Sequence, residues 1–231
     1  GVFYDIGSNF GYFSLSLAAH PGFDGKIHAF EPHPSSFSDL ESLTFQAGMG
    51  NWITCHQIAL SDRDGTGALR FDPLHSALTK IAHGNGGTDV IVSRLDSLDL
   101  PPPTILKIDV EDHELAVLMG ADRLITRYRP AIIFESLRAN PPDATFQTLN
   151  FFDRKQYALF VPAWYLEDHV GGIFVGEDTN LKLEGRVPNL ALLPFEQHNR
   201  CFMGDNLNIL AYPIENVAAL KQLFCHDPLA D

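Results

Sequence analysis

The 231-residue chain is short of the residues that build metal and disulfide scaffolds. Its three cysteines, Cys55, Cys201 and Cys225, are odd in number, and none forms a CxxC pair. That spacing excludes a zinc ribbon and gives no disulfide framework, so reduced thiols and a cytoplasmic setting are expected. The ten histidines include no HxxxH or HExxH pair, which removes the common zinc-hydrolase patterns. Basic residues are scarce: 16 Lys and Arg stand against 29 Asp and Glu, a net charge of −13. A nucleic-acid partner needs a basic stripe to meet phosphates, and an acidic membrane surface needs one too, so neither is expected. No apolar run approaches 20 residues, and no signal peptide is visible. The chain opens inside an apolar run without a Met, so an N-terminal portion is expected to be missing. Nothing in the sequence sets an oligomeric state.

At 45% hydrophobic and 19% charged, the composition is that of a globular domain with a sizeable core. Short apolar runs alternate with helical patterns. The expected strands are Val2–Ile6, Lys26–Phe30, Trp52–Leu60, Val90–Leu95, "TILKIDV", "RPAIIFES", "YALFVPA" and a last edge strand over Asn208–Tyr212. Helices are expected from about Tyr12 to Ala19, from Ser35 or Ser36 as cap to Ala47, over Glu114–Thr126, over Phe146–Arg154 and over Asn216–Phe224. "SDRDGTGALRFD" reads as an excursion or small hairpin, and the glycine-rich segment 74–88 as a mobile loop. The alternation predicts a single α/β domain, residues 1–231, with a doubly wound, mostly parallel sheet and helices on both faces. In such sheets ligands bind outside the carboxyl ends of the strands. The residues expected at those ends are Asp5, Glu31, Ser61, Asp109 and Glu135, four of them acidic.

The first turn is "DIGSNFG": Asp5, Gly7, Ser8, Asn9, Phe10 and Gly11. Gly7 and Gly11 let the backbone turn tightly and approach a ligand. The pattern is not GxGxxG, and an aspartate before the turn repels a pyrophosphate. Glu31, followed by Pro32, comes 26 residues after Asp5, where a carboxylate can accept both hydroxyls of a ribose. A ligand with a ribose, an adenine and a cationic amino-acid end matches both carboxylates, and S-adenosylmethionine has those parts.

"VFYDIGSNFGYFSL" resembles motif I of class I S-adenosylmethionine-dependent methyltransferases, and "IHAFEPHP" the second-strand motif. "LKIDVEDHELAVLMGA" followed by "RPAIIFE" is similar to the signature of the FkbM methyltransferase family, and "CHQIALSD" fits that family's third-strand end. The resemblance covers about residues 1–136. It implies a Rossmann-like fold and O-methylation of a hydroxyl on a natural product, sugar or glycolipid, with a small-molecule or glycan acceptor. Asp5, Gly7, Ser8, Asn9, Phe10 and Gly11 then shape the methionine end of the cofactor site, and Glu31 with Pro32 the ribose end. Ser61 and Asp62 face the adenine edge.

Asp109, Glu111, His113 and Glu135 are the candidate catalytic residues, Asp109 also touching the cofactor. His113 is a candidate base, with a surface or capping role as the plainer alternative. No metal ligand is assigned, although Asp109 and Glu135 together can hold Mg²⁺ as an oxygen-ligand pair. One position departs from the family pattern Asp-Val-Glu-Gly-x-Glu, because Asp112 stands in place of the glycine. Candidate acceptor-binding loops are 74–88 and 164–202, with Trp164, Tyr165, Phe174 and Phe195 as lining aromatics or, alternatively, core. The rival readings are a non-catalytic S-adenosylmethionine-binding module, an NAD-dependent oxidoreductase on a similar sheet, and an RNA methyltransferase, the last opposed by the charge pattern.

Overall fold

A computed structural model describes residues 1–72, 75–82, 87–137, 143–165, 174–175, 189–204 and 206–223. The chain divides into two compact units, Gly1–Ile132 and Ile133–Asp231. Among the described residues no helix is long and apolar enough to cross a membrane.

The first unit begins with two strand–helix steps: β1 (Val2–Ile6), α1 (Tyr12–Ala18), β2 (Lys26–Phe30), α2 (Pro34–Gln46) and β3 (Ile53–His56). An excursion follows, made of β4 (Ala59–Leu60), β5 (Gly65–Asp72), β6 (His75–Ala82) and β7 (Thr88–Ser93). The chain then returns through β8 (Ile105–Ile108), α3 (Glu114–Gly120) and α4 (Asp122–Tyr128) to the start of β9 (Ala131–Leu137), where the Ala131 N–H donates to the Thr104 carbonyl at 3.0 Å. β8, β1, β2 and β3 lie side by side in that order, all parallel. Their carboxyl ends therefore share one edge, as the sequence predicts.

Strand periodicity divides the side chains between two faces. Phe3, Ile27, Ala29 and Ile53 pack with Leu40 of α2, and Leu15 and Leu17 of α1 close over them. Tyr4, Ile6, Phe30, Leu106 and Ile108 are buried too, and the Tyr4 hydroxyl donates to the Pro101 carbonyl at 2.6 Å. His28 and His56 stack side by side on β2 and β3 and share a hydrogen bond of 2.9 Å between Nδ1 and Nε2. Burial pushes both imidazoles down, His56 to about 4, so the pair is neutral near pH 7.

Four expectations change. α2 starts at Pro34, with His33 as N-cap, rather than at a serine cap, because proline's fixed φ suits the first helical position. The run Trp52–Leu60 splits: β4 leaves the parallel sheet and pairs with β7 instead. Within 74–88, His75–Ala82 is a strand antiparallel to β5, in register from Ala68↔Ala82 to Phe71↔Thr79; positions 74 and 83–86 lie outside the described residues. The alternation of "SALTKIA" is what pairs, a signal overshadowed in the sequence by the neighbouring glycines. The helix over Glu114–Thr126 breaks in two at Ala121, whose φ is −110°.

In the second unit come α5 (Asp143–Arg154), β10 (Tyr157–Tyr165), β11 (Phe174–Val175), β12 (Asn189–Phe195), a 3₁₀ turn over Gln197–Phe202, β13 (Asn206–Pro213) and α6 (Val217–Leu223). β10 pairs antiparallel with β11, β12 and β13. β13 is not an edge strand: it lies between β10 and β9. Phe134 of β9 stacks on Phe152 of α5 at 4.7 Å, and Phe152 meets Tyr157 at 5.8 Å. Arg200 is 1% exposed and donates from Nε to Ser136 Oγ at 3.0 Å and from Nη1 to the Gly204 carbonyl at 2.8 Å. These bonds satisfy a cation that would otherwise be costly to bury.

Candidate active site

The turn after β1 is built by backbone geometry. Gly7 has φ +77°, Asn9 +49° and Gly11 +92°. The amides of Gly7 and Ser8 both donate to the Phe30 carbonyl at 3.0 Å, and the Gly11 amide returns to the Ser8 carbonyl at 2.8 Å. At Gly7 a Cβ would fall 1.8 Å from the Asp109 carbonyl oxygen, so only glycine lets the turn after β1 approach the end of β8 this closely. Asn9 tolerates its left-handed conformation because its short polar side chain is among the least penalised there.

Glu31 stands directly after β2 and is 8% exposed. One carboxylate oxygen accepts the Asn9 amide at 2.9 Å and the other the His33 amide at 2.8 Å. Burial raises its pKa, and the two backbone donors oppose that rise. Each carboxylate oxygen has a second lone pair, so the group is held rigidly and can still accept from a ligand. Glu31 lines a cleft of about 180 Å³ in the first unit. The turn contributes Gly7 and Asn9 to it, the end of β2 contributes Pro32, and the end of β8 contributes Asp109, Glu111 and His113. Leu60 of β4 and Leu69 of β5 add an apolar wall from the excursion.

Asp5 sits elsewhere. It lies one residue inside β1, is fully buried, and accepts a 2.7 Å hydrogen bond from Ser14 of α1. Lys107 is its register partner on β8, with Nζ 3.6 Å from Asp5 Oδ1 and 3.0 Å from Asp109 Oδ2. Burial raises the Asp5 pKa, while Lys107 and the Ser14 hydroxyl counter it. Asp5 thus braces α1 and β8 from within the strand. Ser8 is 6% exposed, and its Oγ has no hydrogen-bond partner among the described residues. Phe10 is 48% exposed at the turn.

Ser61 follows β4 and is buried; its Oγ donates to Asp62 at 3.1 Å and lies 2.9 Å from His113 Nε2. That contact ties the excursion to the loop after β8. Asp62 itself is exposed. Asp109 and Glu111 bring carboxylate oxygens within 4.8 Å of one another. The Lys107 ammonium already occupies one side of Asp109, which reduces the charge available to a divalent cation. Glu135 lies on β9 in the second unit and is half-buried. Of the expected acceptor aromatics, Trp164 is 44% exposed and Phe195 6%; the side chains of Tyr165 and Phe174 lie outside the described residues.

The model of the "Methyltransferase FkbM domain" matches residues 5–159, about two thirds of the chain. The chain belongs to the FkbM methyltransferase family. It is 27% identical over 148 residues to the hexuronic acid methyltransferase AglP of Haloferax volcanii, an alignment covering 62% of this chain and 59% of that protein. The chain therefore spans about three fifths of the length of this curated relative. The crystal structure of methyltransferase FkbM from Methylobacillus flagellatus superposes with a TM-score of 0.52 at 20% identity, over 68% of this chain and 38% of that one, and shows the shared fold.

In this FkbM chain the departure at Asp112 has a local explanation. Glu111 and Asp112 have φ of +51° and +68°, so the glycine position does require the left-handed region. Aspartate is tolerated there, but with a residual penalty. Asp112→Gly is expected to stabilise the fold by about 0.5–1 kcal/mol. In thermal melts that appears as a rise of roughly 1–4 °C.

Lys107, Ser14, Leu69 and Gly120 escape a reading of the sequence as strand ends and turns. Lys107 did carry a signal, a lone cation inside the apolar run "TILKIDV". Leu69 carried none, since it reaches the cleft through the excursion's own pairing.

Proposed function

We propose that this chain is an S-adenosylmethionine-dependent methyltransferase that methylates a hydroxyl of a sugar, glycan or natural product. The observation that carries this reading is Glu31: a buried carboxylate, fixed by two backbone amides, facing a cleft at the carboxyl edge of a parallel sheet. Such a group is suited to accept both hydroxyls of a ribose. The apolar wall of Leu60 and Leu69 suits an adenine, and Asp109 and Glu111 suit the cationic end of the ligand. The buried Ser8 hydroxyl, beside the same turn, is a further polar group available to it.

Bound S-adenosylmethionine would supply a methyl group already activated on a sulfonium. The protein's part is then alignment and proton removal. In this reading Glu31 orients the ribose. Asp109 and Glu111 position the amino-acid end and the acceptor. His113, held by Ser61, takes the hydroxyl proton. The segment 74–88 is proposed to shape the acceptor side; most of the other candidate, 164–202, lies outside the described residues. A sugar acceptor is supported by the named substrate of the AglP relative.

Calorimetric titration with S-adenosylmethionine, S-adenosylhomocysteine and NAD tests the reading. Micromolar binding of the first two without NAD is expected. NAD binding in their place would overturn it in favour of an oxidoreductase.

A further inference from the structure

Lys107 is an unusual occupant of its place. The strand around it, Ile105–Ile108, is otherwise apolar, and the side chain is 8% exposed. Burying an ammonium is expensive unless it is paired and hydrogen-bonded. Here it has three partners. Asp109 Oδ2 is 3.0 Å away, Asp5 Oδ1 is 3.6 Å away, and the Phe13 ring lies under it with the centroid at 4.4 Å. Parallel register sets Lys107 beside Asp5, and period two puts Asp109 on the same face. Two carboxylates and one ammonium thus form a charged row leading from the covered interior to the cleft. Asp5 closes the inner end, and Asp109, with 38% of its side chain exposed, the outer end.

A methionine or leucine at this position would leave Asp5 buried without its counter-charge. The ammonium lies nearer to Asp109 than to Asp5, 3.0 Å against 3.6 Å, so its charge also bears on the outer carboxylate. Methyl transfer from a sulfonium discharges a positive charge in the cofactor. A site too negative beside that sulfonium would bind the charged reactant better than the transition state, which slows the reaction. It would also oppose loss of the acceptor's proton.

We propose that Lys107 is a positioning residue that sets the charge of the reaction centre: it holds Asp109 in place and offsets its negative field, so that the charged cofactor is not bound too tightly relative to its neutral product. The inference rests on the S-adenosylmethionine reading above.

The test compares affinities for S-adenosylmethionine, which is cationic at sulfur, and S-adenosylhomocysteine, which is not. The wild-type chain, Lys107→Met and Asp109→Asn are titrated calorimetrically at the same ionic strength, because exposed charges are screened by salt. Lys107→Met is expected to raise the preference for the sulfonium over the thioether by about tenfold, the size a single nearby charge gives at an intermediate dielectric. Asp109→Asn is expected to lower it. Opposite directions identify charge, because mere loss of shape would weaken both ligands together. Should Lys107→Met fold poorly, the double variant Asp5→Asn with Lys107→Met removes the buried carboxylate left without its cation. It is expected to recover the wild-type melting temperature to within a few degrees while keeping a raised sulfonium preference. An unchanged ratio in either Lys107 variant, or changes of the same sign in Lys107→Met and Asp109→Asn, would overturn the positioning role while leaving the cofactor site intact. Failure of wild type to bind either ligand would instead sink the cofactor reading, and this inference with it.

Discussion

Glu31→Ala is expected to weaken S-adenosylmethionine binding by about a hundredfold or more. Hydrogen bonds to a charged group are worth about 1.5–3 kcal/mol each, and a ribose offers two donors. The same carboxylate accepts the Asn9 and His33 amides, so its loss also loosens the turn after β1 and the start of α2. Removing those two bonds is expected to cost about 3 kcal/mol or more of stability. Calorimetry and a thermal melt separate the effects. Glu31→Gln retains one carbonyl acceptor and the side-chain volume, and is expected to fall between wild type and alanine. The wild-type affinity has a pH dependence of known sign. Burial raises the Glu31 pKa above its ordinary 4.5. Protonation removes acceptor capacity, so affinity is full well above that raised value and declines as pH falls through it. Glu31→Gln should lose this decline. An alanine variant that binds the cofactor like wild type would put the ribose site elsewhere.

Gly120→Ala is expected to be the most damaging single methyl addition outside the cleft. A Cβ at Gly120 would lie 1.9 Å from the Ser61 carbonyl oxygen, a backbone atom that cannot turn aside as a flexible side chain can. Ser61 is itself fixed, because its amide donates to the Ser93 carbonyl at 3.0 Å and its hydroxyl meets His113. Overpacking usually costs about 1–3 kcal/mol, and a clash between two backbones belongs at the upper end or beyond. A loss of about 3 kcal/mol is expected by denaturant titration. Cofactor affinity should fall as well, since moving Ser61 disturbs the contact that joins the excursion to His113. A variant as stable as wild type would mean that α3 and the excursion can slide apart freely.

Much of the first unit was legible in the sequence. β1 and β2 are each a short apolar run ended by a turn signal, and the structure places them at Val2–Ile6 and Lys26–Phe30. The glycine turn and Glu31 were legible for a related reason: in a parallel sheet every strand delivers the residue after it to the same edge. The positive φ at Asp112 was legible through the family pattern, which keeps glycine there.

What escaped depended on contacts between distant segments. Asp5 reads in the sequence as the end of a strand facing a ligand. The structure makes it the buried partner of Ser14 and Lys107, because register with β8 sets Lys107 beside it and α1 brings Ser14 over it. β13 reads as an edge, since alternation in "NLNILAYP" reports one buried face and says nothing of which strands flank it. Gly120 falls inside the single helix expected over Glu114–Thr126. Only its approach to Ser61, 59 positions earlier, shows why a side chain is excluded.

The sequence by itself determined the first two strands, the glycine turn, the family and the carboxylate after β2, because turn chemistry and periodicity act over a few residues. Tertiary structure alone decided which carboxylate faces the cleft and which is neutralised inside. That choice depends on register between β1 and β8, strands about a hundred residues apart, which no local pattern encodes.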